Sequence, residues 1–272
     1  MSQQKICFIG AGNMTRSIIS GLIRSGYPAA LVQATNPSQG KLDALAADFG
    51  VRVSQDNVSA AQDADVIVLS VKPQLMEQVC QALQGIDMSN KLVITIAAGI
   101  KASRYSEYLA QPITLVRTMP NTPMQIGVGM TGLYAPQPLS DAQQAIAERL
   151  MSSGGEIVWV NEESEINQVI ALAGSSPAYF FLLMESMIDA GKQMGMDEAK
   201  ARSLVQQAAL GAAMMAKQNP ELTLGNLREN VTSKGGTTAQ AIATFEAADL
   251  RSVVKNAMEN CIKRAEEMAN TF

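Results

Sequence analysis

The sequence of 272 residues contains no histidine. Histidine is the side chain whose charge changes nearest to neutral pH, and it is the commonest proton carrier in enzymes. Its absence excludes catalysis by a histidine acid or base, and it excludes histidine as a metal ligand. Any enzymatic activity of this chain must therefore proceed without that proton carrier.

Cysteine is also scarce. The three cysteines, Cys7, Cys80 and Cys261, lie far apart and form no CxxC pair. Neither a disulfide framework nor a metal site is indicated by such spacing. We therefore expect reduced thiols, no metal and a cytoplasmic protein.

Long blocks of one charge and long apolar runs are missing too. Charged residues make up 17% and hydrophobic residues 47%, with a net charge of −4. No Lys/Arg block indicates a nucleic-acid or membrane surface, and we expect no transmembrane run. The first strand starts at once, which leaves no room for a signal peptide. This composition is ordinary for a soluble globular enzyme.

The motif that is present opens the chain. An apolar run over residues 5–9 reaches Gly10, and a helical pattern extends from Asn13 to Gly26. Strand, glycine turn and helix are the context of a dinucleotide-binding fingerprint, in which Gly12 leaves room for a pyrophosphate. Thr15 stands where Gly or Ala is usual, and its branched side chain would separate helix and strand slightly. An ordinary tight turn is the alternative interpretation.

The first half of the sequence alternates short apolar runs with helical patterns, whereas the second half is helical throughout. Strands are predicted at residues 31–34, 51–53, 65–71, 91–98, 113–116 and 156–160. This alternation predicts an α/β fold, a Rossmann-like doubly wound and mostly parallel sheet over residues 1–162. An all-α C-terminal domain is predicted over residues 163–272, with Asp197 and Asp249 as helix N-caps and Pro177 interrupting the helix at 166–194.

The end of the second predicted strand lacks the acid that usually binds the ribose of NAD. Thr35, Asn36 and Ser38 stand there instead, with Lys41 nearby. Neutral donors tolerate a 2′-phosphate, so we prefer NADP(H) and keep NAD(H) as the alternative. A plain turn opening a helix would use the same residues.

Two later strand ends also face the side of a parallel sheet where ligands bind. Lys72 follows the fourth strand and could face a phosphate or simply be solvated, while Pro73 suits the first turn of a helix. After the fifth strand, small residues at 97–99 would let a nicotinamide ring lie close.

A second glycine-rich turn lies between the last two predicted helices. Gly235 and Gly236 allow the backbone to turn, and Thr237 or Thr238 begins the next helix. Free N–H groups and two hydroxyls could receive a small carboxylate. A capped turn is the alternative, and a Ser or Thr nucleophile is disfavoured because no base accompanies it.

Five motifs together resemble pyrroline-5-carboxylate reductase, in the order of that family and from the first strand to the last helix. They are Gly10-Ala11-Gly12-Asn13-Met14, Ser70-Val71-Lys72-Pro73, Met119-Pro120-Asn121-Thr122-Pro123, Gly174-Ser175-Ser176-Pro177-Ala178-Tyr179 and Ser233-Lys234-Gly235-Gly236-Thr237-Thr238. The resemblance implies NAD(P)H-dependent reduction of 1-pyrroline-5-carboxylate to L-proline. It also implies a homodimer through the helical domain, with dimers assembled into a higher oligomer.

The resemblance further implies the site residues. The substrate carboxylate is expected at Ser233, Gly235, Gly236, Thr237 and Thr238, and the hydroxyl of Thr238 is expected to bind the ring nitrogen. The expected cofactor-binding residues are Gly10, Ala11, Gly12, Asn13, Met14, Thr35, Asn36, Asn57, Val71, Lys72, Pro73 and Ala98. Two residues depart from the family pattern: Thr15 replaces an alanine and Ser176 replaces a glycine.

Two alternatives remain open at this stage. A β-hydroxyacid dehydrogenase-like enzyme or imine reductase also pairs a dinucleotide-binding domain with helices, although residues 166–187 contain no lysine such as those hydroxyacid enzymes use. The other alternative is a protein that binds NADP(H) and senses its redox state.

Overall fold

The computed structural model describes residues 4–271 and divides the chain into two compact units. One unit contains the residues up to Pro177 together with those from Asn260 onward, and the other is Ala178–Glu259. The predicted division between residues 162 and 163 stays a prediction, and the outermost residues of its ranges, 1–3 and 272, lie outside the described part.

The first unit contains an eight-stranded sheet in the order β3-β2-β1-β4-β5-β6-β7-β8. Strands β1 to β6 are parallel, β7 is antiparallel to β6, and β8 is parallel to β7. The predicted mostly parallel, Rossmann-like sheet is therefore confirmed. The strands are β1 Ile6–Ile9, β2 Val32–Thr35, β3 Arg52–Ser54, β4 Val66–Leu69, β5 Leu92–Thr95, β6 Thr114–Met119, β7 Gly129–Tyr134 and β8 Gly155–Trp159.

The central strands are buried on both faces. In β1, Ile6 and Phe8 belong to one apolar cluster, whereas Cys7 and Ile9 belong to the cluster on the opposite face. Side chains alternate across a strand, so an all-apolar strand must be covered by helices on both sides. This double coverage explains why the sequence shows apolar runs here and not alternation.

Strand β7 was not predicted from the sequence. Its residues include Gly129 and Gly132, and glycine is unfavourable in strands. A Cβ at Gly129 would lie 2.8 Å from the Cα atom of Met124, and one at Gly132 would lie 2.7 Å from Val169 Cγ1. Close packing against β7 therefore requires glycine at both positions, and the low strand propensity of glycine is the reason that β7 was not predicted.

The helices are predicted well where the apolar pattern is regular, and several begin at the expected residue. Their bounds are α1 Asn13–Arg24, α2 Gln39–Phe49, α3 Asn57–Asp63, α4 Pro73–Ala82, α5 Ala102–Leu109, α6 Asp141–Ser152, α7 Glu165–Val169, α8 Ser176–Gln193, α9 Glu198–Gln218, α10 Leu224–Asn230, α11 Thr237–Ala247 and α12 Leu250–Ala269. A π-helical turn, Ile170–Gly174, separates α7 from α8, so the predicted interruption near Pro177 is confirmed.

The two aspartates predicted as N-caps differ. Asp197 Oδ1 accepts a hydrogen bond from the N–H of Lys200 at 3.1 Å, which confirms the cap of α9. Asp249 directly precedes α12, but its backbone is left-handed, with φ at +54°. Its carbonyl accepts the N–H of Val253 at 3.1 Å, so the predicted position is confirmed, but among the described residues its side chain makes no capping hydrogen bond.

The second unit has almost no buried core of its own. Only Gly191 and Ala201 are buried within it, and most of the large exposed hydrophobic side chains of the described chain lie here. One helical stretch, Glu165–Gln193, is long and apolar enough to cross a membrane by length and composition, with a mean hydropathy of 1.3. Only 22% of its most apolar window is buried. The prediction that no apolar run is long enough to cross a membrane is therefore wrong for this stretch, by length and composition alone.

Candidate active site

The turn after β1 ties three strand ends together. The N–H of Gly10 donates to the carbonyl of Thr35 at 2.9 Å, and the N–H of Ser70 donates to the carbonyl of Ile9 at 2.8 Å. Gly10 has a φ of +109°, and a Cβ there would lie 2.6 Å from the carbonyl oxygen of Ser70. Only glycine fits this position, because both the backbone conformation and the neighbouring strand exclude a side chain.

The N-terminus of α1 faces open space. Gly12 precedes the helix in an extended conformation, without a side-chain cap and with no acidic residue in the first turn. A Cβ at Gly12 would meet no heavy atom within 4 Å. Asn13 is exposed, and Met14 is half-buried against the core. The N–H groups of the first turn are therefore available to an anion such as a phosphate.

Three polar side chains lie beside this turn, at the end of β2 and the start of α3, and each makes a hydrogen bond there. The Thr35 hydroxyl donates to Asn57 Oδ1 at 2.6 Å, and the N–H of Ala11 donates to Asn36 Oδ1 at 3.3 Å. Thr35 and Ala11 are buried, whereas Asn36 and Asn57 are partly exposed. The structure thus brings these four predicted residues together with Gly10 and Gly12.

Lys72 lies beyond the end of β4, the strand next to β1. It is exposed and directly precedes α4, of which Pro73 is the first residue. Lys72 forms no ion pair with any residue that the structure describes. Val71 is half-buried, and its Cγ1 would lie 3.2 Å from a Cβ at Gly10. A free cation, the N–H groups of α1 and two partly exposed amides form a donor set that suits the phosphates of a dinucleotide.

Ala98 follows β5 and is half-buried beside the C-terminal end of α12. It packs on a small cluster that contains Ile166, Ile170 and Ala265. The next residue, Gly99, has a φ of +73°, and a Cβ there would lie 2.9 Å from Met268 Cβ. The small residues at 97–99 therefore serve at least this close packing; a contact between Ala98 and a nicotinamide stays a prediction.

The second glycine-rich turn is built as the sequence predicts and lies in the unit Ala178–Glu259. Gly235 has a φ of +75°, and a Cβ at Gly236 would lie 2.4 Å from Ser233 Oγ. Gly236 precedes α11, whose first turn has no side-chain cap. Ser233 and Thr237 are exposed and Thr238 is half-buried. The first N–H groups of α11 are thus also available to an anion, with hydroxyl groups beside them.

Comparison with known proteins identifies the family. A family model for pyrroline-5-carboxylate reductase dimerisation matches residues 163–268, and a model for NADP oxidoreductase, coenzyme F420-dependent, matches residues 5–99. The pyrroline-5-carboxylate reductase of Vibrio alginolyticus is 55% identical over 272 residues, which cover 100% of both chains. The chain belongs to the pyrroline-5-carboxylate reductase family.

Solved structures of this family agree with the fold. The pyrroline-5-carboxylate reductase of Coxiella burnetii superposes with a TM-score of 0.92 at 40% identity, covering 98% of this chain and 99% of that chain. The Plasmodium falciparum enzyme, solved with NADP bound, superposes with a TM-score of 0.88 at 26% identity, covering 99% of each chain. The predicted resemblance is confirmed.

The two departures from the pyrroline-5-carboxylate reductase pattern are both accommodated by hydroxyl contacts. Thr15 is fully buried, and its hydroxyl donates to the carbonyl of Gly10 at 2.8 Å. Ser176 is buried, with its hydroxyl 3.5 Å from the carbonyl of Ala173. Thr15 therefore stabilises the turn at Gly10 through a buried hydrogen bond.

Asn121 has a role that the sequence only hinted at. Its Nδ2 donates to the carbonyl of Ala173 at 3.0 Å, and its Oδ1 accepts from the N–H of Met130 at 2.9 Å. The buried amide thus joins the end of β6 to β7 and to the π-helical turn. The rigid prolines around Asn121 were the sequence signal for a fixed amide, although its partners were not predictable.

Two exposed apolar side chains near the candidate cofactor site were missed entirely. Val58 and Leu75 lie in the first turns of α3 and α4 and are 40% and 48% exposed. Both helices begin at the edge of the sheet that carries Gly12 and Lys72. Apolar side chains at such an edge can pack against a nucleotide base, and a hydrophobic residue within a polar first turn is the signal that could have identified them.

The buried thiols do not contribute a nucleophile. Burial raises the pKa of Cys7 and of Cys80 to about 12, so both stay protonated at neutral pH. Among the described residues no group of three or more Cys, Asp or Glu side chains could hold a metal ion. The candidate chemistry is therefore that of hydroxyl, amide and backbone N–H groups.

Proposed function

We propose that this protein reduces the cyclic imine 1-pyrroline-5-carboxylate to L-proline, the last step of proline biosynthesis, with NADP(H) as the hydride donor. The observation that carries the proposal is the 55% identity, over the entire length of both chains, to a pyrroline-5-carboxylate reductase. Dehydrogenases of hydroxy acids, the first alternative, are thereby disfavoured.

The cofactor is held by the carboxyl edge of the sheet. The first-turn N–H groups of α1 receive the pyrophosphate in front of Gly12, where nothing blocks its approach. Asn36 and Asn57 face the ribose, and Lys72 supplies a positive charge. Because no carboxylate follows β2, the site favours NADP(H), with NAD(H) as the weaker alternative. When bound, the reduced nicotinamide supplies the hydride.

The substrate carboxylate is held by the turn Ser233, Gly235, Gly236, Thr237 and Thr238. Uncapped N–H groups of α11 and the adjacent hydroxyls match the charge and size of a carboxylate. Thr238 is the catalytic residue in this proposal. Its hydroxyl binds the ring nitrogen and orients the imine.

A chain without histidine suits this reaction. A protonated imine is already electrophilic, so no strong acid is needed to polarise it; the ring carbon gains the hydride, and the nitrogen keeps its proton. The residues of the site mainly have to fix the reacting atoms. Fixing two reactants in a near-attack geometry lowers a barrier by about 7–11 kcal/mol at the upper end in model reactions.

The working enzyme is a homodimer formed through the helical region, with dimers able to assemble further. Phe180, Phe181, Leu182 and Leu183 are each more than half exposed in the single chain. A unit that buries so little of its own apolar surface is stabilised by a partner, and a second copy covers helices matched by the dimerisation model. The same surface accounts for the apolar stretch Glu165–Gln193 without a membrane.

The compartment is the cytoplasm, and no nucleic acid takes part. Three unpaired cysteines suit a reducing compartment. The net charge of −4 gives no attraction to nucleic acid.

Absorbance at 340 nm, which reports NADPH, tests the proposal with the purified full-length chain. We expect rapid loss of NADPH when 1-pyrroline-5-carboxylate is added, slower loss with NADH, and formation of proline. The matched control replaces the substrate with proline. NADPH binding without turnover would instead support the redox sensor and overturn the proposed reaction.

A further inference from the structure

The side chain of Thr35 is fully buried, so it has no surface with which to touch a dinucleotide. Its hydroxyl lies 2.6 Å from Asn57 Oδ1 and 3.4 Å from the carbonyl oxygen of Phe8. The shorter separation falls in the range of an O–H···O bond, which is about 2.5–3.0 Å, and below the range of an N–H···O bond. The hydroxyl proton of Thr35 therefore goes to the oxygen of the Asn57 amide.

This bond decides which end of Asn57 is free. With Oδ1 turned inward to Thr35, Nδ2 is the end left for a ligand, and it makes no hydrogen bond to any residue in the described part of the chain. An amide with its oxygen engaged offers only N–H donors.

Asn36 is oriented in the same way. Its Oδ1 accepts from the N–H of Ala11 at 3.3 Å, and its Nδ2 makes only a long contact, 3.4 Å, to the carbonyl of Ser38. Two amides beside the end of β2 thus have their acceptors turned inward and their donors left over. No carboxylate follows β2, and Asp56, the residue before Asn57, has its Oδ1 occupied by the N–H groups of Val58 and Ser59.

Two amides that offer only N–H donors distinguish the two nicotinamide dinucleotides. A 2′-phosphate consists of acceptor oxygens with negative charge, and every one of them can be paired by such donors. A 2′-hydroxyl also carries a proton, which neither amide can accept because both Oδ1 atoms are already occupied, and leaving a donor unpaired is costly.

We propose that Thr35 is a positioning residue for cofactor specificity: by holding Asn57 Oδ1, it keeps Nδ2 turned toward the 2′-phosphate of NADP(H). This inference rests on the proposed function, since it assumes that the dinucleotide lies at this edge. It goes further by assigning the preference for a phosphorylated ribose to a buried hydroxyl that never touches the ligand.

The test measures the dissociation constants of NADP⁺ and NAD⁺ by isothermal titration calorimetry, without turnover. Thr35→Val keeps the side-chain shape and removes the hydroxyl. We expect it to weaken NADP⁺ binding about 5-fold, the effect of one hydrogen bond, and to leave NAD⁺ binding unchanged. Thr35→Ser keeps the hydroxyl and should restore the NADP⁺ preference.

A matched control is Thr118→Val, because Thr118 is also a buried strand threonine whose hydroxyl donates to a backbone carbonyl, that of Thr95 at 3.0 Å. It should lower stability without changing the ratio of the two constants. An equal loss of both dinucleotides in Thr35→Val, or a changed ratio in Thr118→Val, would overturn the inference.

A second variant acts on the other partner and does not depend on how the core tolerates valine. Asn57→Asp still accepts from Thr35 but presents an oxygen outward in place of Nδ2. We expect a loss of NADP⁺ affinity with NAD⁺ affinity kept or improved; an unchanged ratio would overturn the inference while the proposed reaction stands. If the unchanged chain binds neither dinucleotide, the proposed function fails as well.

Discussion

The carbonyl oxygen of Ser70 lies 2.6 Å from the point where any side chain at Gly10 would begin. The end of β4 therefore presses directly on the turn that leads from β1 into α1. This contact joins the fold to the candidate cofactor site, because the same turn aims the first N–H groups of α1.

Gly10→Ala tests that contact. The methyl group must displace the backbone of β4, and the residue must keep a φ of +109°. We expect a loss of stability of at least about 1–3 kcal/mol, the cost of such backbone strain, and a marked loss of NADP⁺ affinity. Gly26→Ala is the control in urea unfolding, since Gly26 also has a positive φ, at +85°, but would meet no atom within 4 Å. Equal effects of the two substitutions would contradict the role of the contact.

Thr15→Ala tests the role of Thr15, which replaces the alanine of the family pattern and bonds the Gly10 turn. The sequence suggested that Thr15 separates helix and strand slightly, whereas its hydroxyl donates to the carbonyl of Gly10 and so supports the turn. We expect the variant to lose about 1–3 kcal/mol of stability, because the carbonyl loses its buried donor, and to bind NADP⁺ less tightly. Ser17→Ala is the control, since Ser17 donates to the carbonyl of Asn13, an acceptor within the same helix. Tighter NADP⁺ binding in Thr15→Ala would favour the interpretation from the sequence.

The fold was largely predictable because its signals are local. Short apolar runs such as 65–71, repeated between helical patterns, indicate strands buried on both faces, and the glycine turn at Gly10 needs little tertiary information. Strand β7 was not predictable, since Gly129 and Gly132 remove its β propensity and owe their presence to packing against Met124 and Val169. The left-handed backbone of Asp249 was not predictable either, because in the sequence an aspartate before a helix looks the same whether or not its side chain caps the helix.

The candidate site was predictable by position but not by orientation. The strand-end pattern indicated Thr35 and Asn36 beside the ribose, and the family resemblance added Asn57 to the cofactor site. Neither could show that Thr35 is buried or which end of Asn57 it binds. Such orientations depend on contacts between elements that lie 22 residues apart in sequence. The uncovered helices of Ala178–Glu259 pose the same problem at a larger scale, because in the proposed dimer the residues that cover them belong to the second copy.

Thr238→Ala tests the proposed catalytic hydroxyl. If it orients the imine through the ring nitrogen, we expect turnover to fall about 10-fold, which corresponds to about 1.4 kcal/mol, with NADP⁺ affinity unchanged. Thr244→Ala is the control, because the Thr244 hydroxyl donates to the carbonyl of Gln240 within the same helix. Steady-state kinetics and calorimetric NADP⁺ binding provide the readouts. A loss of cofactor affinity equal to the loss of turnover would argue against this role.

Glu163→Ala tests a partly buried ion pair of the first unit. Glu163 Oε1 accepts from the guanidinium of Arg117 and from the N–H of Ala102, and only 7% of the Arg117 side chain is exposed. Removing the carboxylate leaves a buried cation unpaired, so we expect a loss of about 3–5 kcal/mol in urea unfolding. Asp48→Ala is the control, since its pair with Arg16 is exposed and should contribute about 0–1 kcal/mol. A loss from Glu163→Ala no larger than that of the control would contradict this account.

The two buried thiols predict a loss of stability in alkali. Burial raises the pKa of Cys7 and of Cys80 from 9.0 to about 12. Their folded-state pKa lies above the unfolded one, so the protonated thiols favour the folded chain fully below pH 9. Above pH 9 the unfolded chain releases these protons first, and each thiol then lowers the free energy of unfolding by about 1.4 kcal/mol per pH unit.

Urea unfolding at pH 8, 9 and 10, at one protein concentration, should show a shallower decline of the free energy of unfolding with pH for Cys80→Ala than for the unchanged chain. Met76→Ala, which removes a neighbour in the same apolar cluster that does not ionise, should lower stability equally at each pH. Parallel declines for Cys80→Ala and the unchanged chain would show that the thiol does not carry the effect.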